Sequence, residues 1–292
     1  MIREAPPEAV AVPRARLGEG PCWDPRTALL YWTDIPAGRI HRYDPVDGSH
    51  AVTEVGQPVG AMAPRSAGGL VVAVRDGFGF CDPEAGTFEL VGRVDADRPG
   101  NRMNDGKCDP DGRFFAGTKA EDDTPGAAAL YRLDPDLAVT RVVDDLTISN
   151  GLDWSADGRL FYFVDSPTRR IDLFDRDPAT GAISGRRPFV ELPADAGWPD
   201  GLTVDAEGCV WVALWGGSAV RRYRPDGRLD RVLRLPARLV TSCAFGGPDL
   251  DVLYVTTAAP DPGSSVPVGP GDGSLFACRV GVVGRPVHAF AG

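Results

Sequence analysis

A repeated segment constrains the fold of this chain more than any other feature of its sequence. Each copy begins with a small polar residue followed by a glycine or another small residue. It continues into an apolar strand, a turn and a second apolar strand. Six copies recur at a spacing of roughly 40–50 residues, which is the repeat length of propeller blades. The second copy is the weakest. The copies begin at Glu19, Val59, Asp105, Asn150, Asp200 and Thr241.

Third strands follow most copies, as short apolar or alternating runs bounded by turn residues. They occupy residues 39–43, 129–133, 170–174, 219–223 and 274–278. All-β folds of this length commonly form one domain. We therefore predict an all-β fold, a six-bladed β-propeller of four-stranded antiparallel blades over residues 1–292. Closure of the ring removes open sheet edges. We expect the N-terminal segment 9–12 to supply the outer strand of the last blade.

Composition excludes some classes of partner. The net charge of -10 argues against a nucleic acid partner, because the sequence contains no basic stripe that would neutralise phosphates. No apolar run approaches about 18 residues, so we expect no membrane span. Residues 1–7 lack the apolar core of a signal peptide. The six cysteines form no CxxC pair and lie mostly in apolar runs, which predicts reduced, buried thiols. We expect a cytoplasmic monomer.

The repeats predict a ring of polar side chains. The first strand of each propeller blade lies innermost, so the residue before the repeated glycine arrives at one end of the central channel. In most copies this residue carries an oxygen, and Asn104 stands beside Asp105. Carboxylate and amide oxygens suit a hard divalent ion such as calcium, magnesium or manganese. The alternative is that Asn-Gly and Asp-Gly are ordinary turn dipeptides.

Residues 101–112 form the densest polar stretch of the chain. They combine a guanidinium, two amides, carboxylates and an ammonium directly before the apolar run 114–118. Convergent polar groups on strand ends are typical of binding sites. An ordinary Asp-Gly turn between strands is the other interpretation of this stretch.

These motifs together resemble one family over nearly the whole chain. The motifs are Leu17–Pro21, Asn101–Lys107, Asp109–Pro110, Gly112–Phe114, Ala116–Thr118, Ser149–Leu152 and Pro199–Leu202. The chain is similar to the regucalcin/gluconolactonase family (senescence marker protein type) of six-bladed propellers. The resemblance implies hydrolysis of a small sugar-acid lactone with one divalent ion, which is calcium, zinc, manganese or iron(II).

The resemblance also implies roles for particular residues of this chain. The metal ligands would be Glu19, Asn150 and Asp200, with Asp200 also acting as general base. The residues in contact with the substrate would be Arg102, Asn104 and Glu121.

Two alternatives keep the fold and change the function. One is a calcium-dependent phosphotriesterase, whose pocket we would expect to be more apolar. The other is a non-enzymatic metal-binding propeller, which would not require Arg102 and Asn104 beside the ion. A Ser-His-Asp mechanism is disfavoured because the three histidines stand apart from the repeats and no G-x-S-x-G motif is present.

The choice of lactone is expected to depend on loop residues beside the site. This set contains Lys119, Asp122, Trp198 and Trp215. Two roles are open for the Lys119 ammonium, which are binding of a substrate hydroxyl or carboxylate and pairing with Glu121, and of these we expect the pairing.

Overall fold

The computed structural model describes residues 5–261, 263 and 267–292. These residues form 24 strands and one short 3-10 helix, Ser166–Thr168. The all-β prediction is therefore confirmed. The predicted single domain covers residues 1–292, of which 1–4, 262 and 264–266 lie outside the described residues. The segment 1–7, which is expected to lack the features of a signal peptide, also includes residues 1–4. Within the described ranges no helix is long and apolar enough to cross a membrane.

Sixteen of the strands form four antiparallel sheets of four sequential strands each. The first sheet contains β2 (Gly18–Asp24), β3 (Leu29–Asp34), β4 (Arg39–Tyr43) and β5 (His50–Glu54). The second contains β6 (Val59–Pro64), β7 (Leu70–Val74), β8 (Gly77–Asp82) and β9 (Thr87–Arg93). The third contains β10 (Asn101–Cys108), β11 (Phe114–Ala120), β12 (Ala128–Leu133) and β13 (Val139–Leu146). The fourth contains β14 (Ser149–Trp154), β15 (Leu160–Asp165), β16 (Arg170–Arg176) and β17 (Ile183–Glu191).

The remaining eight strands lie in one curled sheet made of two antiparallel groups. The first group is β18 (Trp198–Val204), β19 (Val210–Trp215), β20 (Ala219–Tyr223) and β21 (Leu229–Arg234). The second group is β22 (Leu239–Gly246), β23 (Val252–Ala258), β24 (Phe276–Arg279) and β1 (Glu8–Ala9). Among the described residues, the ladder between the two groups consists of one residue pair, Trp215 with Leu239.

The first strands of the six groups pack against one another. Each contacts the first strand of the next group, and β22 contacts β2. Glycines make this close approach sterically feasible. A Cβ atom on Gly60 would lie 2.2 Å from the Asn104 backbone oxygen, and one on Gly151 would lie 2.4 Å from the Asp200 backbone oxygen. This explains why a glycine or small residue recurs beside each predicted site residue.

A β-bulge interrupts all six of these first strands at corresponding positions. In β2 the register shifts between Glu19 and Cys22, and in β10 it shifts between Met103 and Gly106. A bulge places extra residues opposite one partner residue and redirects their side chains. It therefore turns the polar residues of the repeat toward the space enclosed by the first strands.

The apolar core lies between neighbouring sheets. One cluster joins Phe78 of the second sheet to Phe114 of the third and also includes Phe290 near the C-terminus. Another joins Phe115 of the third sheet to Trp154 and Phe161 of the fourth. All six cysteine side chains are buried, as the sequence predicts.

The C-terminal segment 280–292 crosses the ends of the first strands. Phe290 donates its N–H to the Pro64 oxygen (2.8 Å), and the Arg285 guanidinium donates to the Trp154 oxygen (2.5 Å). Pro64 and Trp154 are the last residues of β6 and β14. The segment therefore covers one end of the space between the first strands.

Strand β1 pairs with β24 at the edge of the curled sheet. Glu8 lies opposite Ala277, Ala9 lies opposite Phe276, and the Val10 N–H donates to the Leu275 oxygen at 2.8 Å. The sequence places this pairing at residues 9–12, whereas the ladder itself covers Glu8–Ala9.

Candidate active site

A cavity of about 490 Å³ opens at the end of the first strands opposite the C-terminal segment. Most of its floor comes from the bulged parts of β2, β10, β14 and β18. The polar floor residues are Glu19, Arg102, Asn104, Asn150, Asp200 and Ser166. Five of the six residues that the sequence assigns to the site thus line one cavity.

Asp105 differs from the position that the repeat predicts. It does not line this cavity but a smaller one of about 50 Å³ deeper in the channel, between the floor and the C-terminal segment. The reason is the bulge of β10, which leaves both Asn104 and Asp105 out of the ladder. Asn104 takes the position at the floor, and Asp105 accepts a hydrogen bond from the Gly106 N–H (2.7 Å).

The Asn104 side chain is held at both ends. Its Oδ1 accepts a hydrogen bond from Arg102 (2.7 Å), and its Nδ2 donates to the Ser149 oxygen (2.8 Å) and to Asn150 Oδ1 (3.3 Å). The same Arg102 nitrogen donates to the Met103 oxygen (2.9 Å). Because a guanidinium only donates, it fixes the orientation of the Asn104 amide.

Ser166 fixes the orientation of the Asn150 amide in the same way. The Ser166 hydroxyl donates to the Pro199 oxygen (2.7 Å) and accepts from Asn150 Nδ2 (3.0 Å). A carbonyl oxygen can only accept, so the direction of this chain of hydrogen bonds is set. Asn150 Oδ1 is consequently the end of the amide directed away from Ser166, toward Asn104.

The two floor carboxylates, Glu19 and Asp200, are each only 6% exposed. Burial raises the pKa of Glu19 well above its usual range, and the charges of Asp200 and Asp105 raise it further. Burial also raises the pKa of Asp200, as does the charge of Asp105. Asp200 Oδ1 is buried without a hydrogen-bond partner among the described residues. Such a group is costly unless a cation compensates it.

These residues fit a divalent ion. They offer an oriented amide oxygen and two carboxylates, one of which carries the unpartnered Asp200 Oδ1. Such oxygens are the donors that hard cations prefer. No group of three His, Cys, Asp or Glu side chains in the described ranges could hold a metal. The predicted set is not such a group, because its third protein ligand is the Asn150 amide.

Glu121 does not line the cavity that the other five predicted residues share. It lines an adjacent cavity of about 440 Å³, which shares Arg102 with the first. Its carboxylate pairs with Arg75 at 2.6 Å and lies 3.6 Å from Arg102 Nε. Glu121 therefore faces the entrance rather than the floor.

The expected pairing of Lys119 with Glu121 is wrong. The Lys119 ammonium lies 2.5 Å from Asp123, four residues along the chain, and Lys119 lines both cavities. Glu121 pairs instead with the guanidinium of Arg75, which lies in the turn between β7 and β8. Sequence distance alone could not show this, because the partner of Glu121 comes from the neighbouring sheet.

Ser166 lines the floor, although no sequence pattern predicts it as a site residue. It follows Asp165 at the end of β15 and begins the 3-10 helix, outside the repeated segment. A Ser-Pro step after an apolar strand is a turn signal and gives no indication of a partner. Only the packing of β15 beside β18 brings this hydroxyl to Pro199.

The walls of the larger cavity are mostly apolar. The apolar wall residues are Leu17, Ile35, Pro125, Ile148, Pro167, Trp198 and Trp215, and the polar ones are Lys119, Asp123 and Thr147. Small-molecule sites usually combine a mainly apolar cavity with a few oriented polar groups, and this cavity has that composition.

Comparisons with known proteins place the chain in one family. The sequence profile of the SMP-30/gluconolactonase/LRE-like region matches residues 17–259. Regucalcin of Xenopus laevis is 39% identical over 257 residues, which cover 86% of each chain. The structure of a calcium-binding protein, regucalcin, from Agrobacterium tumefaciens superposes with a TM-score of 0.93 at 30% identity, covering 99% of this chain and 98% of the other. A gluconolactonase from Xanthomonas campestris gives a TM-score of 0.73 at 25% identity, covering 91% and 86%.

Proposed function

The chain belongs to the SMP-30/gluconolactonase/LRE-like family, and on that premise we propose that it hydrolyses a sugar-acid lactone with the help of one divalent ion. The observation that carries the proposal is the floor of the larger cavity. There the buried carboxylates of Glu19 and Asp200 and the oriented Asn150 amide line one cavity, and Asp200 Oδ1 has no hydrogen-bond partner among the described residues. The ion is calcium, zinc, manganese or iron(II).

We assign the metal ligands as Glu19, Asn150 and Asp200. When bound, a divalent ion polarises a carbonyl group and stabilises negative charge on its oxygen. Ser166 and Asn104 hold the Asn150 amide so that its oxygen, and not its nitrogen, is available as a ligand.

Asp200 also serves as the general base in this proposal. An oxygen of its carboxylate that does not bind the ion accepts a proton from a water molecule, and the oxygen of that water bonds to the lactone carbonyl carbon. The bond between that carbon and the ring oxygen then breaks, and the ring oxygen takes the proton from Asp200 to become a hydroxyl, which restores the Asp200 carboxylate. The product is an open-chain hydroxy acid, which releases one proton to neutral solution.

Arg102, Asn104 and Glu121 are assigned to substrate binding. Arg102 is buried, and its hydrogen bond to Asn104 shapes the floor against which the substrate would lie. Glu121 is about half exposed at the entrance, where it can accept hydrogen bonds from substrate hydroxyls. Holding the lactone in one orientation lowers the barrier by fixing the reacting groups together.

We also propose that the chain forms one closed six-bladed propeller. The support is the cycle of contacts from β2 through β6, β10, β14 and β18 to β22 and back to β2. Strand β1, paired with β24, would join the N-terminus to the last blade. The protein would act as a cytoplasmic monomer.

A pH-indicator assay on purified protein tests the proposed activity, because hydrolysis releases a proton. The panel contains glucono-, xylono-, arabinono- and galactonolactone and one phosphotriester. We expect faster hydrolysis of at least one lactone, loss of this rate with a chelator, and recovery when a divalent ion is returned. No acceleration of any lactone with any of the four ions would contradict the proposal.

A non-enzymatic role in calcium binding is the second candidate. It is favoured by the Agrobacterium tumefaciens neighbour, which is described as a calcium-binding protein. Calcium binding measured by calorimetry, together with no turnover on the panel, would support this candidate.

A further inference from the structure

Two tryptophans form one side of the cavity entrance. Trp198 is the first residue of β18, Trp215 is the last residue of β19, and the two are directly paired in the antiparallel ladder. They are 38% and 36% exposed, and both line the larger cavity. The other four tryptophans are buried. Directly opposite residues of a ladder point to the same face, so both indoles lie on the same face of the sheet.

The Trp198 indole is held in place from behind. The Arg169 guanidinium lies 3.8 Å from its ring centroid, in the geometry of a cation–π contact. Arg169 in turn donates to the Ala194 oxygen (3.0 Å) and the Gly197 oxygen (3.2 Å). One face of the ring is thus covered by a fixed cation.

Trp215 stands at the junction of the two cavities. It lines the cavity of about 490 Å³ and the adjacent cavity of about 440 Å³. A ligand that occupies both cavities therefore lies within reach of this indole. A large apolar side chain that stays partly exposed in a cavity indicates a ligand contact, whereas a single apolar residue elsewhere on the surface does not.

We propose that Trp198 and Trp215 form an aromatic platform that selects the ring form of the substrate, an inference that rests on the proposed lactonase function. A sugar lactone ring carries hydroxyls at its edge and C–H groups on its faces. The polar floor binds the edge and the carbonyl, and the indoles pack against a C–H face. An open-chain polyol has the same hydroxyls but no such face, so it binds more weakly.

Fluorescence tests the platform without turnover. The probe is D-glucono-1,5-lactam, whose amide resists hydrolysis, and D-glucitol is the open-chain control. Acrylamide is the quencher because it is neutral and is not repelled by the net charge of -10. We expect the lactam to protect a fraction of the fluorescence from quenching and D-glucitol to protect little. The double variant Trp198→Phe/Trp215→Phe should lose this protected fraction, because its four remaining tryptophans are buried.

Kinetics test the same platform on the substrate found with the lactone panel. We expect Trp198→Ala and Trp215→Ala each to raise KM about 3- to 10-fold while kcat changes less than about 2-fold. Each Phe variant should recover most of the affinity. Leu229→Ala is the matched control, since Leu229 is 48% exposed and lies outside both cavities.

The failure of the platform can be told apart from the failure of the proposed function. Normal KM in both alanine variants, with no protection by the lactam, would overturn the platform even if lactone hydrolysis is confirmed. Absence of hydrolysis on the whole panel would instead contradict the lactonase function.

Discussion

The Ser166 hydroxyl determines which end of the Asn150 amide faces the cavity. Because it donates to the Pro199 oxygen, it can only accept from Asn150 Nδ2. Ser166→Ala removes this constraint, and one hydrogen bond contributes about 0.5–1.5 kcal/mol. We therefore expect calcium affinity, measured by calorimetry, to fall about 3- to 10-fold. Ser184→Ala on exposed β17 is the control. Unchanged calcium affinity in Ser166→Ala would contradict the role of Ser166 in orienting the Asn150 amide.

A second effect at the residue scale concerns pH. Burial, and next the charge of His50, lower the pKa of His41 to about 4, against an ordinary value of 6.5. Its Nδ1 lies 3.0 Å from His50 Nε2, and its ring stacks on Trp32.

This shift has a defined sign. Between pH 6.5 and about 4 the unfolded chain binds a proton at this position and the folded protein does not, so stability falls as the pH is lowered through this window. His41→Phe should make the urea midpoint less dependent on pH between 4 and 6.5. An equal pH dependence in the variant and in the wild type would show that other groups cause it.

At the scale of the element, the bulged first strands unite fold and site. In β2, β10, β14 and β18 the bulge lies beside a polar residue of the cavity floor, and small residues at the bulges let neighbouring first strands approach closely. A Cβ on Gly151 would lie 2.4 Å from the Asp200 oxygen, and overpacking of this kind costs about 1–3 kcal/mol. We expect Gly151→Ala to lower the thermal midpoint and weaken metal binding together.

The matched control for this substitution is Gly100→Ala. An added Cβ at Gly100 meets nothing within 4 Å, and its backbone is not in the left-handed region. Equal midpoints for the two variants would show that the close approach at Gly151 is not required.

The bulges also mark what the sequence could and could not predict. The repeat was sufficient to place Glu19, Asn150 and Asp200 in one cavity, because equivalent positions of equivalent strands converge. It failed for Asp105, because the length of the bulge differs between strands and is not visible in the repeat. It could not find Ser166, which lies outside the repeated segment.

At the scale of the whole molecule, the C-terminal segment joins several sheets across the end opposite the site. Phe290 is fully buried, with Phe78 and Phe114 in the same cluster. Phe290→Ala should destabilise the protein by about 3–5 kcal/mol, as removal of a buried aromatic side chain does. Chemical denaturation measures this, with Val46→Ala, at 85% exposed, as the control. If Phe290→Ala lowers the free energy of unfolding no more than Val46→Ala does, the segment does not hold the sheets together.

The arrangement of the sheets around one space was predicted from the spacing of the repeats, since that spacing allows one four-stranded unit per copy. The contacts of the C-terminal segment were not predicted. They depend on loop ends from several repeats, such as Pro64 and Gly112, that no local pattern connects.

The central claim, that Asp200 acts as a base at a metal-binding floor, is tested most directly by one measurement. This is the turnover of Asp200→Asn on the preferred lactone, with its bound metal determined in the same sample. An amide keeps one oxygen for the ion but cannot accept the proton from water. We predict retained metal and a fall in kcat of about 10²–10⁴, while Asp226→Asn on an exposed turn stays at the wild-type value. Near wild-type turnover by Asp200→Asn with its metal bound would contradict the account.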